Sequence, residues 1–164
     1  MEGRETDLEY NLLMGLTGAS VSKHLLDEHF TLLWANDFYY DMIGYPKEEY
    51  EALFHNKPDL YFKGYDEAWN ILSKNVYETI ANKASGYETV IQMPTRKGKR
   101  WTKITSTFTD QLQDGIPISY TVMTDVEDVM RRRIEQTITY DNIPGFISKH
   151  KVHNCLLYTS DAAD

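Results

Sequence analysis

The pattern of apolar and polar positions changes period several times along the chain, which predicts a mixture of strands and helices. Residues 64–84 carry apolar side chains at helical spacing and predict the longest helix, whereas the last third alternates as strands do. The predicted strands are 19–26, 30–35, 87–95, 100–109 and 116–124, and the predicted helices are 5–16, 37–43, one starting at Pro46, 64–84 and 126–138. This order predicts an α+β domain.

Two residues mark the ends of the first short helix inside this domain. Asn36 suits the N-cap position, where its side chain can accept a hydrogen bond from the first turn, and Gly44 suits the left-handed position that ends a helix. The first interpretation of Asn36 is therefore structural, with a polar contact to a ligand as the alternative. Gly-containing turns at residues 97–99 and 114–115 join the last three strands into hairpins.

Alternation sorts the residues of the last two strands onto opposite faces. On the fourth strand one face carries Thr102, Ile104, Ser106 and Phe108. On the fifth strand one face carries Ile116, Ile118, Tyr120 and Val122, and the other carries Ser119, Thr121 and Met123.

An internal similarity predicts the domain organisation. The segment 18–24 (GASVSKH) is similar to 145–150 (GFISKH), and a predicted helix precedes each copy. We therefore expect an N-terminal helix at 1–17, a complete domain at 18–125, a connecting helix at 126–139 and the start of a second, truncated copy at 140–154. The last ten residues, 155–164, resemble a translated sequencing adapter, so we expect a non-native tail there.

Composition and charge exclude several classes of protein. The formal net charge of −8 argues against a nucleic-acid partner. No stretch approaches the roughly 20 apolar residues of a membrane span, and the acidic, polar start is unlike a signal peptide. These features predict a cytoplasmic location without direct membrane contact. The single cysteine, Cys155, excludes an internal disulfide framework and a zinc site built on several thiolates.

Catalytic motifs are absent from the sequence. It contains no nucleophile elbow, no phosphate-binding P-loop, no Gly-rich dinucleotide fingerprint and no HExxH zinc motif. We therefore expect no enzymatic activity from this stretch of chain and predict no metal site.

Three segments in the expected order resemble the PAS sensory fold, over about residues 16–126. They are 34–50 (WANDFYYDMIGYPKEEY), a hairpin around 87–101, and 115–127, which ends in Asp125, Val126 and Glu127. The hairpin departs from the family pattern, because Lys97 is followed directly by Gly98 without the usual intervening Asp or Asn. The resemblance implies a five-stranded antiparallel sheet of order 2-1-5-4-3 with helices on one face, plus N-terminal and C-terminal helices.

The resemblance also implies a function. PAS domains serve as sensory modules of multidomain bacterial signalling proteins, so we expect binding of a small ligand or of a partner domain. The connecting helix would relay the change to a downstream PAS domain and an output domain, either the histidine kinase of a two-component system or a diguanylate cyclase. The apolar stripe on 126–138 predicts a parallel homodimer through that helix. The alternative is a ligand-free module that dimerises and acts as a scaffold.

Two groups of residues are candidates for this function. Large side chains in and around the helical layer could line a small-molecule cavity or simply pack in the core. The cavity candidates are Asn36, Tyr39, Met42, Trp69 and Tyr120. Asp125 and Val126 stand where the resemblance places signal exit, with an Asp N-cap for the following helix as the other interpretation of Asp125.

Two cofactors of the resembled family are not expected. Its haem-binding members carry a histidine on the long helix, but residues 64–84 contain none, and His55 just before that helix is a weak substitute. Its flavin photosensors use a reactive cysteine, and no cysteine precedes Cys155. Cysteinyl-flavin photochemistry is therefore excluded, haem is not predicted, and the identity of any ligand stays open.

Overall fold

The computed structural model describes Leu12 and residues 18–141, 150–153 and 156–159. The chain divides into two units, Met1–Val126 and Glu127–Asp164, which are considered separately. The predicted helix at 5–16 lies outside the described residues except for Leu12, which is helical. Most of the predicted second copy, at 142–149 and 154, lies outside them as well.

A five-stranded antiparallel sheet forms the centre of the first unit, as predicted. Its neighbours run in the order β2-β1-β5-β4-β3. The strands are β1 (Ser20–Leu25), β2 (Leu32–Ala35), β3 (Gly86–Thr95), β4 (Gly98–Gln113) and β5 (Ile116–Asp125). The predicted α+β class and strand order are confirmed.

Four helices connect β2 to β3. They are α1 (Asp37–Ile43), α2 (Lys47–Phe54), α3 (Pro58–Tyr61) and α4 (Asp66–Ala81). Helix α1 lies against β1, and α4 lies against β3. The first cap prediction is correct, because Asn36 accepts from the backbone N–H of Tyr39 and Gly44 is left-handed, with a φ of 79°.

Strand β2 and helix α4 are shorter than predicted, and in each case a residue near the changed end adopts left-handed backbone. Phe30 has a φ of 54°, so β2 begins only at Leu32 and not at residue 30. Lys83 has a φ of 52°, and α4 ends at Ala81 instead of residue 84. Ile80, one of the apolar residues of this helix, is exposed.

Strands β3 and β4 approach each other very closely at Gly86. A Cβ atom added there would lie 2.0 Å from the carbonyl oxygen of Ser106, so only glycine fits without moving the strands. Gly86 therefore begins β3, one residue before the predicted start of that strand.

The core between helices and sheet is rich in tyrosine and phenylalanine. Tyr50 and Ile43 are fully buried, and the Tyr50 ring contacts those of Tyr39, Phe54 and Tyr61 at centroid distances of 6.0, 5.2 and 5.6 Å. Burial raises the pKa of the Tyr50 hydroxyl to about 12. These rings fill much of the space beneath α1, α2 and α3.

The second unit begins with the helix that was predicted at 126–138. It forms α5 (Glu127–Asp141), in which Val129, Ile134 and Ile138 are exposed and Met130 is buried. Two short antiparallel strands, β6 (His150–His153) and β7 (Leu156–Thr159), follow it. The assignments of 126–139 to a connecting helix, of 140–154 to a second domain copy and of 155–164 to a non-native tail stay predictions.

Candidate functional site

A cavity of about 70 Å³ lies between the inner face of the sheet and helices α1, α3 and α4. Strands β1, β3, β4 and β5 contribute one side of it, and helical side chains such as Leu72 and Val76 contribute the other. Most of its surface is apolar, and the strands contribute Ser22, His24, Ser106, Ser119 and Thr121 among its polar residues. This combination is typical of small-molecule sites, where a few polar groups orient a mostly apolar ligand.

Three aromatic rings form one side of the cavity, and we call Phe30, Phe62 and Trp69 the aromatic wall. The centroid of the Trp69 ring lies 5.1 Å from that of Phe30 and 5.7 Å from that of Phe62. Phe30 reaches this position from the β1–β2 turn. The carboxylate of Asp27 stabilises that turn by accepting from the backbone N–H groups of His29 and Thr31.

Four hydroxyl groups form a line across the sheet on the opposite side of the cavity. Ser22 of β1 is paired in register with Thr121 of β5, Thr121 with Ser106 of β4, and Ser106 with Tyr87 of β3. We call these four residues the hydroxyl row. Thr121 Oγ1 donates to Ser106 Oγ at 3.1 Å, and a further side-chain hydrogen bond joins Ser106 to Tyr87. Burial raises the pKa of the Tyr87 hydroxyl to about 12, so it stays protonated.

His24 extends the polar side of the cavity along β1. Its Nδ1 atom lies 2.9 Å from the carbonyl oxygen of Phe30, and its Nε2 atom lies 2.8 Å from Ser22 Oγ. Burial lowers the pKa of the imidazole, while the Phe30 carbonyl and the Asp27 charge act in the opposite direction. The ring is therefore neutral at neutral pH.

Two of the five residues predicted to line a pocket lie at the cavity, namely Tyr39 and Trp69. The Tyr39 hydroxyl donates to the Tyr50 hydroxyl at 3.4 Å, and burial keeps its pKa well above the ordinary value. Both side chains therefore pack in the core and also line the cavity, so the two interpretations, core packing and cavity lining, hold together.

The other three candidate residues do not line this cavity. The amide group of Asn36 is occupied by the backbone, accepting from Val21 and Tyr39 and donating to Ala19. Met42 packs, partly buried, against the aromatic core. Tyr120 lies on the opposite face of β5, where its hydroxyl donates to Gln111 Oε1 at 3.3 Å.

The hydroxyl row was not among the predicted site residues. Its signal was the alternation that places Ser119, Thr121 and Met123 on one face of β5 and Thr102, Ile104 and Ser106 on one face of β4. These six residues are buried, although four of them are polar. A buried strand face that carries hydroxyls is more informative than a buried apolar face, because buried hydroxyls require specific hydrogen-bond partners.

Asp125 ends β5 and makes an ion pair with Arg100 of β4. Its Oδ2 atom lies 2.9 Å from Arg100 Nε and 2.8 Å from Arg100 Nη2. The backbone N–H of Val126 donates to the carbonyl oxygen of Trp101 at 2.9 Å. Helix α5 begins at Glu127, two residues after Asp125, and the interpretation of Asp125 as its N-cap stays a prediction beside that of signal exit.

Among the described residues, no group of three or more His, Cys, Asp or Glu side chains could hold a metal ion. His55, the weak haem candidate, is exposed at the end of α2 and does not line the cavity. In the described part of the chain, no helix is long and apolar enough to cross a membrane.

Comparison with known proteins identifies the fold. No family model and no curated protein matches the sequence. The structure is similar to a sensory box histidine kinase/response regulator from Burkholderia thailandensis E264, with a TM-score of 0.56 and 15% identity, covering 80% of this chain and 95% of that one. It is also similar to an RNA-binding light-oxygen-voltage receptor, with a TM-score of 0.51 and 16% identity, covering 83% of this chain and 38% of that one. The chain has the PAS fold, as the sequence motifs implied.

Proposed function

We propose that residues 18–125 form a sensory module that binds a small ligand in the cavity and relays its presence through β5 to α5. The proposal rests on β5, a single strand that lines the cavity and ends at Asp125. The residues of β5 that line the cavity, Ser119, Thr121 and Met123, are continuous with Asp125 at its end. Thr121 and Asp125 are four residues apart, which corresponds to about 13 Å along a strand.

The relay requires that the ligand distinguish two states of the module. A ligand that draws Thr121 towards the helices would shift the end of β5 and with it the ion pair between Asp125 and Arg100. Both partners of this pair are partly exposed, at 41% for Asp125 and 49% for Arg100. Such pairs contribute about 1 kcal/mol or less, so a modest ligand energy could rearrange it.

The fold supports a wider assignment. The similar structure from Burkholderia thailandensis belongs to a sensory box histidine kinase/response regulator, which supports a place in a multidomain bacterial signalling protein. In that setting the chain is a non-catalytic cytoplasmic module. A downstream PAS domain and an output domain, of histidine kinase or diguanylate cyclase type, would receive its signal.

A ligand-free scaffold is the second candidate. It is favoured by the small volume of the cavity and by the exposed apolar residues of α5, which suit a homodimer. In that case the hydroxyl row would serve only to hold four strands in register.

Native mass spectrometry and an absorbance spectrum of the freshly purified chain distinguish the two candidates. The sensory proposal predicts an additional small-molecule mass in the wild-type protein. It also predicts loss of that mass in Ser119→Leu, which fills the cavity, and its retention in Tyr120→Phe, the next residue but on the opposite face. A folded, bare and dimeric wild-type protein would support the scaffold instead.

A further inference from the structure

The cavity is lined by uncharged groups. Among the described residues that face it, none is Lys, Arg, Asp or Glu, and the single histidine, His24, is neutral. A charged ligand would lose its hydration there without gaining a counter-ion, which is strongly unfavourable. The lining therefore selects against carboxylates, phosphates and ammonium groups.

The hydrogen bonds of His24 determine the direction of the bond to Ser22. The carbonyl oxygen of Phe30 can only accept, so the proton of the imidazole is on Nδ1. In the neutral ring Nε2 then accepts, and Ser22 Oγ must be the donor. A serine hydroxyl has one proton, so only its lone pairs are left for another partner.

The hydroxyl of Thr121, on the neighbouring strand β5, also has its proton already donated. Its hydroxyl proton is donated to Ser106 Oγ, which leaves the lone pairs of Thr121 Oγ1 as its remaining capacity. Ser22 and Thr121 face each other in register on β1 and β5, and both line the cavity. Together they present two adjacent acceptors and favour a ligand that donates.

The aromatic wall and the volume limit the body of the ligand. Phe30, Phe62 and Trp69 offer ring faces and edges on which a flat apolar molecule can pack. The 70 Å³ of free space is about half of an engineered apolar cavity, of about 150 Å³, that binds benzene. One ring is therefore the upper limit of ligand size, and it requires the lining side chains to move outward.

We infer that the cavity binds an uncharged molecule of about one aromatic ring that donates a hydrogen bond to Ser22 or Thr121. This inference rests on the proposed ligand-binding function and names the class of ligand. Phenol is the simplest probe, because at pH 7 it stays protonated as a tyrosine side chain does. Toluene matches it in shape but lacks the donor, and benzoate matches the ring but carries a charge.

Titration of the full chain with the three probes, followed by isothermal calorimetry and by tryptophan fluorescence, tests the inference. We expect phenol to bind about tenfold more tightly than toluene, the usual effect of one satisfied hydrogen bond. We expect benzoate to bind at least a hundredfold more weakly than phenol. A purely apolar cavity would instead favour toluene, because toluene is the more hydrophobic probe.

Variants of Thr121 separate the hydrogen bond from packing. Thr121→Val keeps the shape of the side chain but removes one of the two acceptors, and it should reduce the preference for phenol over toluene, because only Ser22 then remains to accept. Thr121→Ser keeps the hydroxyl and should restore the preference. Tyr120→Phe removes a hydroxyl from the other face of the same strand and should change nothing. Circular dichroism establishes that each variant is folded before it is titrated.

Each contrary result has a distinct meaning. Toluene binding as tightly as phenol would overturn the requirement for a donor, and benzoate binding as tightly would overturn the requirement for neutrality. In both cases the cavity would still be a ligand site. Failure of all three probes to bind would overturn the inferred class, whereas the proposed sensory function would still be judged by the mass of the molecule that the chain retains from cells.

Discussion

At the scale of single residues, Asn36 connects three backbone groups that are far apart in sequence. Its Oδ1 atom accepts from Val21 N–H at 3.0 Å and from Tyr39 N–H at 3.2 Å, and its Nδ2 atom donates to the Ala19 carbonyl at 2.8 Å. One side chain thereby caps α1 and fixes the end of β2 against β1. These contacts favour the structural interpretation of Asn36 over a contact with ligand.

Substitution of Asn36 by Asp should therefore destabilise the domain without changing the cavity. Aspartate keeps both acceptor contacts, but it cannot donate to Ala19 and places a negative charge beside that carbonyl. We expect a loss of about 1–3 kcal/mol in the free energy of unfolding, measured by urea denaturation. Phenol affinity of the folded variant should equal that of the wild type, and a changed affinity with unchanged stability would contradict the structural role.

His24 predicts how stability depends on pH. Because burial lowers its pKa below the ordinary value of 6.5, the unfolded chain binds a proton at mildly acidic pH that the folded chain does not. Stability should therefore fall as the pH drops below about 6.5 and should level off below the pKa of the folded state. The pKa of Asp27 is also lowered, chiefly by its hydrogen bonds to Thr31 against the effect of burial, but it matters only below its ordinary value of 3.8.

Urea unfolding at pH 7.5 and pH 5.0 measures this dependence. His24→Gln should remove most of the difference between the two pH values. His55→Asn is the matched control, because His55 is exposed and asparagine tolerates its left-handed backbone. An equal loss of stability in wild type and His24→Gln would assign the pH effect to other groups.

At the scale of elements, the close contact between β3 and β4 depends on Gly86. Gly86→Ala would place a methyl group against the Ser106 carbonyl and force the two strands apart. We expect a loss of about 2 kcal/mol or more in unfolding free energy by urea denaturation, because the backbone cannot yield as a side chain can. Ser85→Ala, at the preceding exposed position, should be close to neutral, and a similar loss in both variants would argue against the steric explanation.

The ion pair at the end of β5 is expected to affect α5 more than it affects global stability. Asp125→Asn and Arg100→Gln should each change the unfolding free energy by less than about 1 kcal/mol, since the pair is partly exposed. Each should nevertheless accelerate amide hydrogen exchange in the first turns of α5, and the double variant should add nothing further. Glu88→Gln breaks a comparable pair with Lys103 elsewhere in the sheet and should leave α5 unaffected. Unchanged exchange in the Asp125 variant would contradict the proposed relay.

The strands and caps could be predicted from the sequence because their signals are local. Helix α3 was not predicted, because its four residues are too few to show a helical period. The hydroxyl row could not be predicted, because it depends on the register between Ser22 and Thr121, about a hundred residues apart. Alternation alone also does not say which face of β5 looks inward, which is why Tyr120 was assigned to the cavity and Thr121 was not.

At the scale of the whole molecule, the prediction of a homodimer rests on the exposed apolar residues of α5. Ile134 and Ile138 are 46% and 54% exposed and lie one helical turn apart. Ile134→Glu with Ile138→Glu should shift the full chain from dimer to monomer in light scattering and leave the fold of the first unit intact by circular dichroism. Gln136→Glu adds a charge at an exposed polar position and should remain dimeric. A wild-type monomer, or a dimer that resists both substitutions, would contradict the prediction.

The strand order also constrains when this protein can fold. The central pair of the sheet, β1 and β5, joins the two ends of the domain, since Ser20 pairs with Met123. During synthesis β1 must therefore wait for about a hundred residues before its partner leaves the ribosome, and closing so large a loop slows folding. Until then β1 can pair only with β2, and a two-stranded hairpin alone is marginally stable. Nascent chains that stop before residue 116 should accordingly be protease-sensitive, and protection should appear in one step once β5 has emerged.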